Sequence, residues 1–401
     1  MNLKICAIMK NDKENKRKGE NTMRVVVAMD SFKGSLSSME AGNAVREGVL
    51  RAYPSAEVET LSLADGGEGT AEALLCSMNG VWESCLVHDP LGRIIEARYG
   101  AVPSENLAVM EMAQASGLVL LSEEERDPMK TTTFGLGEMI SHAIGKGYRN
   151  FLIGIGGSAT NDGGVGMLRA LGYEFLNENG KPIPNGALGL RELSEIRTEG
   201  KNPMLSQCRF SIACDVKNPL CGENGCSRIF APQKGATPES IPLMDAWLAH
   251  YAALTERTLH NHFADAEGSG AAGGLGFAFV SYLNAVLCKG APLVMEITRL
   301  EEKIKSADIL ITGEGRFDHQ SYMGKGPFEA ARLAKAHGKT VLVLAGSVSH
   351  TESIGVSGID AVFPIVSGPC SLAQAMEKET ARQNLIRTAE QIFRLIQAVK
   401  C

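Results

Sequence analysis

The sequence predicts a doubly wound α/β fold of two domains, and three observations carry that reading. The chain has 401 residues, which at roughly 100–200 residues per domain corresponds to two domains. Both ends alternate buried-strand runs with helical patterns, the rhythm of a parallel sheet layered with helices. The middle of the chain loses that rhythm. The expectation is a parallel-sheet domain of the flavodoxin or Rossmann type built from 23–85 and 296–401, with a mixed α/β domain, 86–295, inserted into it.

The elements follow in order. Residues 24–30 (RVVVAMD) are an apolar run ending at an acid, as in a strand buried on both faces. A helical pattern over 39–53 closes at Pro54. Residues 58–64 (VETLSLA) read as the next strand and 70–78 as the next helix. The rhythm breaks near 85, where 85–99 (CLVHDPLGRIIEARY) reads as an antiparallel hairpin around a DPLG turn. Residues 107–113 are a further strand, and 133–144 a helix capped from 131–133. Residues 151–155 (FLIGI) form a strand that runs into GGSATNDGG, followed by a helix over 165–171. Residues 210–215 (FSIACD) are another strand, while 177–206 and 217–240, rich in Gly, Pro and Asn, are expected to be long loops. The rhythm resumes with strands at 307–312, 340–345 and 361–366 and a helix over 326–337. A long amphipathic helix over 371–399 completes it, with Leu372, Met376, Leu385, Ile386, Ile392, Leu395 and Ile396 as its apolar stripe.

Composition narrows the function. A chain with 44% hydrophobic and 21% charged residues is globular, not disordered. A net charge of −6 gives no basic footprint, and 5% aromatics leave few platforms for stacking bases, so nucleic-acid binding is not expected. Residues 1–22 carry six Lys/Arg and three Asp/Glu without an apolar core. They read as a flexible extension or a misassigned start, with Met23 opening the fold. The uncharged run 270–288 is too polar for a membrane span. Ten cysteines without CxxC or zinc spacing read as reduced thiols of a cytoplasmic protein. The oligomeric state is left open. The 44 glycines, about 11% against a typical ~7%, gather in short clusters, where backbone can approach a ligand.

Ligands of open α/β sheets sit at the carboxyl ends of strands. Three such ends combine acids, glycines and hydroxyls: Asp30 to Ser35, Asp65 to Thr70, and Gly313 to Asp318. Each alone fits ordinary caps and turns; the three together point to a site. The run 156–164 (GGSATNDGG) suits an anion, because glycine-rich backbone N–H groups and a following helix N-terminus attract negative charge. It lacks the Gly-Lys-Ser/Thr ending of a Walker A loop. Nor does a G-x-G-x-x-G follow the first strand, which argues against a nicotinamide oxidoreductase. Lys33, Lys234 and Lys325 stand beside loop glycines as point charges for phosphate, with a solvated surface lysine as the plain alternative. Arg316 has the guanidinium fork that grips carboxylates. The run 268–276 (GSGAAGGLG) reads equally as a phosphate cradle or as close helix packing. No G-x-S-x-G elbow or H-E-x-x-H helix is present.

The motifs DSFKGS at 30–35, LADGGEGT at 63–70, EMAQASGL at 111–118 and GIGGSATNDGG at 154–164 resemble those of the type 1 glycerate kinases. So do CDVKNPLCGENG at 214–225, PQKGAT at 232–237, GSGAAGGLG at 268–276 and ITGEGRFDHQSYMGK at 311–325. The resemblance runs in order from Met23 to the C-terminus, with Cys226 and the 177–206 segment as its soft points. It implies an ATP-dependent kinase of D-glycerate, giving 2- or 3-phosphoglycerate, with Mg²⁺ and a site in an interdomain cleft. The rival readings are another nucleotide-dependent enzyme of small organic acids and a two-domain organic-acid binding protein.

On this basis Asp162 is expected as the base or hydroxyl-orienting group and Lys33 as the phosphate cation. Asp30, Ser35, Arg316 and Asp318 are expected to hold the substrate. Gly156, Gly157, Ser158, Thr160, Asn161 and Lys234 are expected to hold phosphate or nucleotide, and Asp65, Glu68 and Glu314 the metal.

Overall fold

The computed structural model describes residues 22–64, 66–67, 69–318, 326–349 and 358–400. Asp65, Glu68, Lys325 and the 1–21 segment therefore lie outside the described residues. The chain divides into two compact units, one of 1–61, 301–323 and 330–401, the other of 62–300 and 324–329. Strands and helices are numbered along the chain.

The first unit holds a five-stranded sheet. Its strands are β1 (Arg24–Met29), β2 (Glu57–Ser62), β11 (Ile309–Phe317), β12 (Thr340–Val348) and β13 (Ala361–Pro364), in the order β13-β12-β11-β1-β2. β1 pairs in parallel with β11, in register from Val25 with Ile309, and β11–β12 and β12–β13 are parallel too. Counted within this unit the order is 2-1-3-4-5, the flavodoxin-like arrangement, whose switch point lies between β1 and β11. β1 is buried along all but its first residue, which is why the sequence shows an unbroken apolar run there. Helix α1 (Ser38–Ala52) starts in a capping box: Glu40 N–H donates to Ser37 Oγ, and Ser37 N–H donates to Glu40 Oε2.

The last helical segment differs from the expected continuous helix. It is split into α11 (Leu372–Met376) and α12 (Lys378–Lys400), with Glu377 at an extended ψ of 128° between them. Leu385, Ile386 and Ile392 of the expected stripe are buried, but Leu372 and Leu395 face solvent. α12 packs on α1, and Leu385, Ile386, Ala389 and Phe393 join Ala41, Val45 and Val49 in one core.

The second unit holds a six-stranded mixed sheet ordered β10-β9-β6-β5-β4-β3. β3 (Val81–His88) and β4 (Ile94–Val102) form the expected hairpin, whose turn is tied by Asp89 Oδ1 accepting from Leu91 and Arg93 N–H. β5 (Leu107–Glu111), β6 (Asn150–Gly154), β9 (Arg209–Ala213) and β10 (Val286–Cys288) are mutually parallel. β3 joins this sheet, so the second unit begins at 62, where the sequence placed the boundary at 85/86. The 177–206 segment, expected as a loop, carries β8 (Glu195–Arg197), which pairs antiparallel with β7 (Glu174–Leu176) just before it. Helices α2 (Thr70–Met78), α3 (Phe134–Gly145), α4 (Val165–Ala170), α5 (Cys226–Phe230), α6 (Ser240–Leu259), α7 (Ala271–Leu283) and α8 (Gly290–Ile297) complete this unit. Its core includes Phe151 and Phe210 on neighbouring strands, stacked at 4.9 Å. Among the described residues no helix is long and apolar enough to cross a membrane.

Candidate active site

The second unit carries a cavity of about 400 Å³ at the carboxyl ends of β6 and β9. Gly156, Gly157 and Ser158 form one wall, Ala213, Cys214 and Asp215 a second. Gly66, Gly67, Ala271 and Ala272 line it as well. The 66–67 loop can lie this low only because side chains are missing. A Cβ on Gly154 would stand 1.9 Å from Gly66 O, and one on Gly66 2.2 Å from Ala213 Cβ. The sequence assigned this loop to the first domain; it packs on β6 and β9 of the second sheet.

The loop after β6 presents backbone donors. Gly157 adopts φ +71°, a conformation that glycine takes at little cost. Gly157 O accepts from Leu118 N–H and Ser116 O accepts from Ala159 N–H, which pins the loop on its far side. Among the described residues the N–H groups of Gly156, Gly157 and Ser158 take no protein acceptor. Three amide donors and a hydroxyl thus gather at this strand end, a composition that suits an anion.

Thr160, Asn161 and Asp162 lie beneath the loop, buried, and do not line the cavity. Asp162 Oδ2 accepts from Thr133 N–H at 2.8 Å, Thr133 Oγ1 at 2.9 Å and Gly166 N–H at 3.2 Å; Oδ1 accepts from Gly164 N–H at 3.1 Å. Burial pushes its carboxyl up, and these donors pull it down. The carboxylate thus caps the starts of α3 and α4 together. The residue expected as base therefore does not line the cavity, and its oxygens accept from backbone N–H groups and from the Thr133 hydroxyl. It also replaces the cap expected from 131–133, since Thr133 makes no side-chain cap of its own helix.

Lys234 is 1% exposed and is not among the residues that line this cavity. Its Nζ donates to Ser158 Oγ at 2.8 Å and to Thr160 O at 2.6 Å. Burial lowers it to about 8. It braces the cradle from below. The GSGAAGGLG run is chiefly close packing. Ala272, Gly273 and Gly274 are left-handed, and a Cβ on Gly273 would lie 2.1 Å from Thr160 O.

Asp215 is the residue that received no role from the sequence. It follows β9 directly, is exposed at the cavity, and its Oδ1 accepts from Gly290 N–H at 3.1 Å. The signal was available: FSIACD is an apolar run ending at an acid, as RVVVAMD is.

Asp30, Lys33, Ser35, Glu314, Arg316 and Asp318 belong to the first unit, on or just after β1 and β11. Asp30 N–H donates to Gly313 O, joining the ends of β1 and β11. Residues 32–36 close a tight turn through reciprocal Phe32–Leu36 bonds, with Gly34 at φ +76° and Lys33 exposed on it. Ser35 Oγ is buried in that turn without a partner. Glu314 is 6% exposed on β11. Arg316 Nε pairs with Asp318 Oδ2 at 3.1 Å while the guanidinium stays largely in solvent. No group of three or more metal-ligating side chains occurs among the described residues.

The model of the glycerate kinase family matches residues 25–397. The chain belongs to the glycerate kinase family. The chain is similar to "Glycerate kinase" of Haemophilus influenzae, 43% identical over 375 residues, which span 93% of this chain and 99% of that protein. It is also similar to "Glycerate 2-kinase" of Escherichia coli K12, 43% identical over 373 residues, 92% of this chain and 97% of that protein. A crystal structure of a Salmonella typhimurium LT2 protein, provisionally named glycerate kinase 2, matches 95% of this chain and 100% of its own at 42% identity, with a TM-score of 0.88. The glycerate kinase family match includes every residue nominated above, and 1–22 lie outside it.

Proposed function

We propose that this protein transfers the γ-phosphoryl group of ATP to a hydroxyl of D-glycerate, giving ADP and 2- or 3-phosphoglycerate. The supporting observation is that the 156–158 loop and Asp215 line one cavity. Phosphoryl transfer depends on positioning and on charge stabilisation, with a group that takes the proton of the attacking hydroxyl. The cradle suits a carboxylate or phosphate. Asp215, fixed through Oδ1 by Gly290, is the acceptor we assign to the hydroxyl proton. On the first unit, Lys33 is assigned to phosphate, and Asp30, Ser35, Arg316 and Asp318 to the organic acid.

Mg²⁺ binds through one or two carboxylates together with nucleotide phosphates and water. Glu314 of β11 offers such an oxygen donor on the first unit; Asp65 and Glu68 lie outside the described residues. When bound, the ion neutralises charge on the phosphates. ADP release by the protein should require D-glycerate. Asp215→Asn should lower kcat by about 10²–10⁴ while leaving the KM for ATP within about threefold. An unchanged kcat would remove Asp215 from the chemistry, and ADP release indifferent to D-glycerate would remove the substrate.

A further inference from the structure

We propose that Lys234 is a positioning residue that fixes the direction of the Ser158 hydroxyl, so that Ser158 donates its proton to an anionic group seated on the 156–158 loop. The kinase reading enters only in naming that anion as glycerate or ATP. A serine hydroxyl has one proton and two lone pairs, and an ammonium has donors alone. The 2.8 Å contact from Lys234 Nζ therefore makes Ser158 Oγ the acceptor. The hydroxyl proton is left over, and among the described residues Ser158 makes no other side-chain bond. Ser158 lines the cavity beside three unclaimed amide N–H groups, so its proton adds a fourth donor there.

The second bond of Nζ, to Thr160 O at 2.6 Å, holds the lysine in place without drawing on the cavity. A buried cation paired only with neutral oxygens is costly, which a merely structural contact between a lysine stem and the core would not require. It also polarises the hydroxyl it touches, strengthening Ser158 as a donor.

The arrangement is sensitive to pH. Burial lowers Lys234 to about 8, against the opposing pull of Cys226 on α5 and of Asp162. Cys226 is pushed up to about 12, so its thiol stays neutral near pH 8. Asp245 of α6 acts on Cys226, and Arg169 and Tyr251 sense Asp162; burial lowers the Arg169 guanidinium and raises the Tyr251 phenol. Above pH 8 the neutral amine has a lone pair and competes for the Ser158 proton, turning it away from the cavity.

The test is calorimetric titration of D-glycerate and of ATP, separately, into wild type, Ser158→Ala, Lys234→Met and the double variant, at pH 7 and 9.5. A hydrogen bond to a charged group predicts roughly a tenfold or greater loss of affinity for the seated ligand in each single variant. The double variant should bind no more weakly than either single one. Wild type should weaken between pH 7 and 9.5, and Ser158→Ala should not. Additive losses, wild-type affinity in Lys234→Met, a pH effect that persists in Ser158→Ala, or no binding of either ligand to wild type would overturn the proposal. If Lys234→Met fails to fold by near-ultraviolet circular dichroism, the pH comparison of wild type with Ser158→Ala decides, since that variant loses a single oxygen. Wild type that shows this binding pattern but forms no phosphoglycerate leaves the lysine role standing and removes the kinase reading.

Discussion

Asp162 and Asp215 both stand in segments that follow strands of the second sheet, and their surroundings separate them. Asp162 is sealed in, with four hydrogen bonds of 3.2 Å or less from Thr133, Gly164 and Gly166. Asp215 is exposed, lines the cavity, and accepts from Gly290 N–H through Oδ1. Sequence could not tell a buried capping acid from an exposed one, because both follow a strand. Burial decides, and burial depends on α3, α4 and α6 closing over the loop. Asp162→Asn keeps one acceptor but loses charge-assisted caps on two helices. It should lower stability by about 2 kcal/mol or more, read from urea unfolding. Its kcat should stay within about threefold of wild type, far from the 10²–10⁴ loss of a missing base. A loss in that larger range from a variant as stable as wild type would restore Asp162 to the chemistry. Lys234 misled for the same reason: a lysine beside a glycine reads as a surface cation until the structure shows it buried at 1% exposure.

Elements were legible where their pattern is local. The buried runs of β1 and β6 and the DPLG hairpin depend on residues a few positions apart, and each appears within a few residues of its expected place. The last helix shows the limit. Its 3.6-residue period continues past Glu377, but the chain turns there, and Leu372 and Leu395 end up in solvent because α1 covers only the middle of α12. The α1–α12 contact turns on Gly48. A Cβ there would lie 2.3 Å from Ile386 O and 2.8 Å from Ala389 Cβ. Alanine favours a helix over glycine by about 1 kcal/mol, whereas overpacking costs about 1–3 kcal/mol. The clash is with backbone, so the second effect should win. Gly48→Ala should lower the thermal midpoint; a raised midpoint would show that the two helices can part without loss.

At the scale of the whole molecule, the parallel sheet built from both chain ends was readable from the return of the strand–helix rhythm after residue 300. The position of 62–85 was not. Pairing of β3 with β4 and the seating of Gly66 on Ala213 are long-range choices that no local pattern announces. The family was legible because eight motifs recur in order across the matched length of 25–397. The account's central claim is phosphoryl transfer to D-glycerate. Phosphorus NMR of the protein incubated with ATP, Mg²⁺ and D-glycerate tests it most directly. The account predicts one new phosphomonoester signal, that of 2- or 3-phosphoglycerate, growing in step with ADP. Growth of inorganic phosphate alone, or an unchanged ATP spectrum from folded protein, would contradict it.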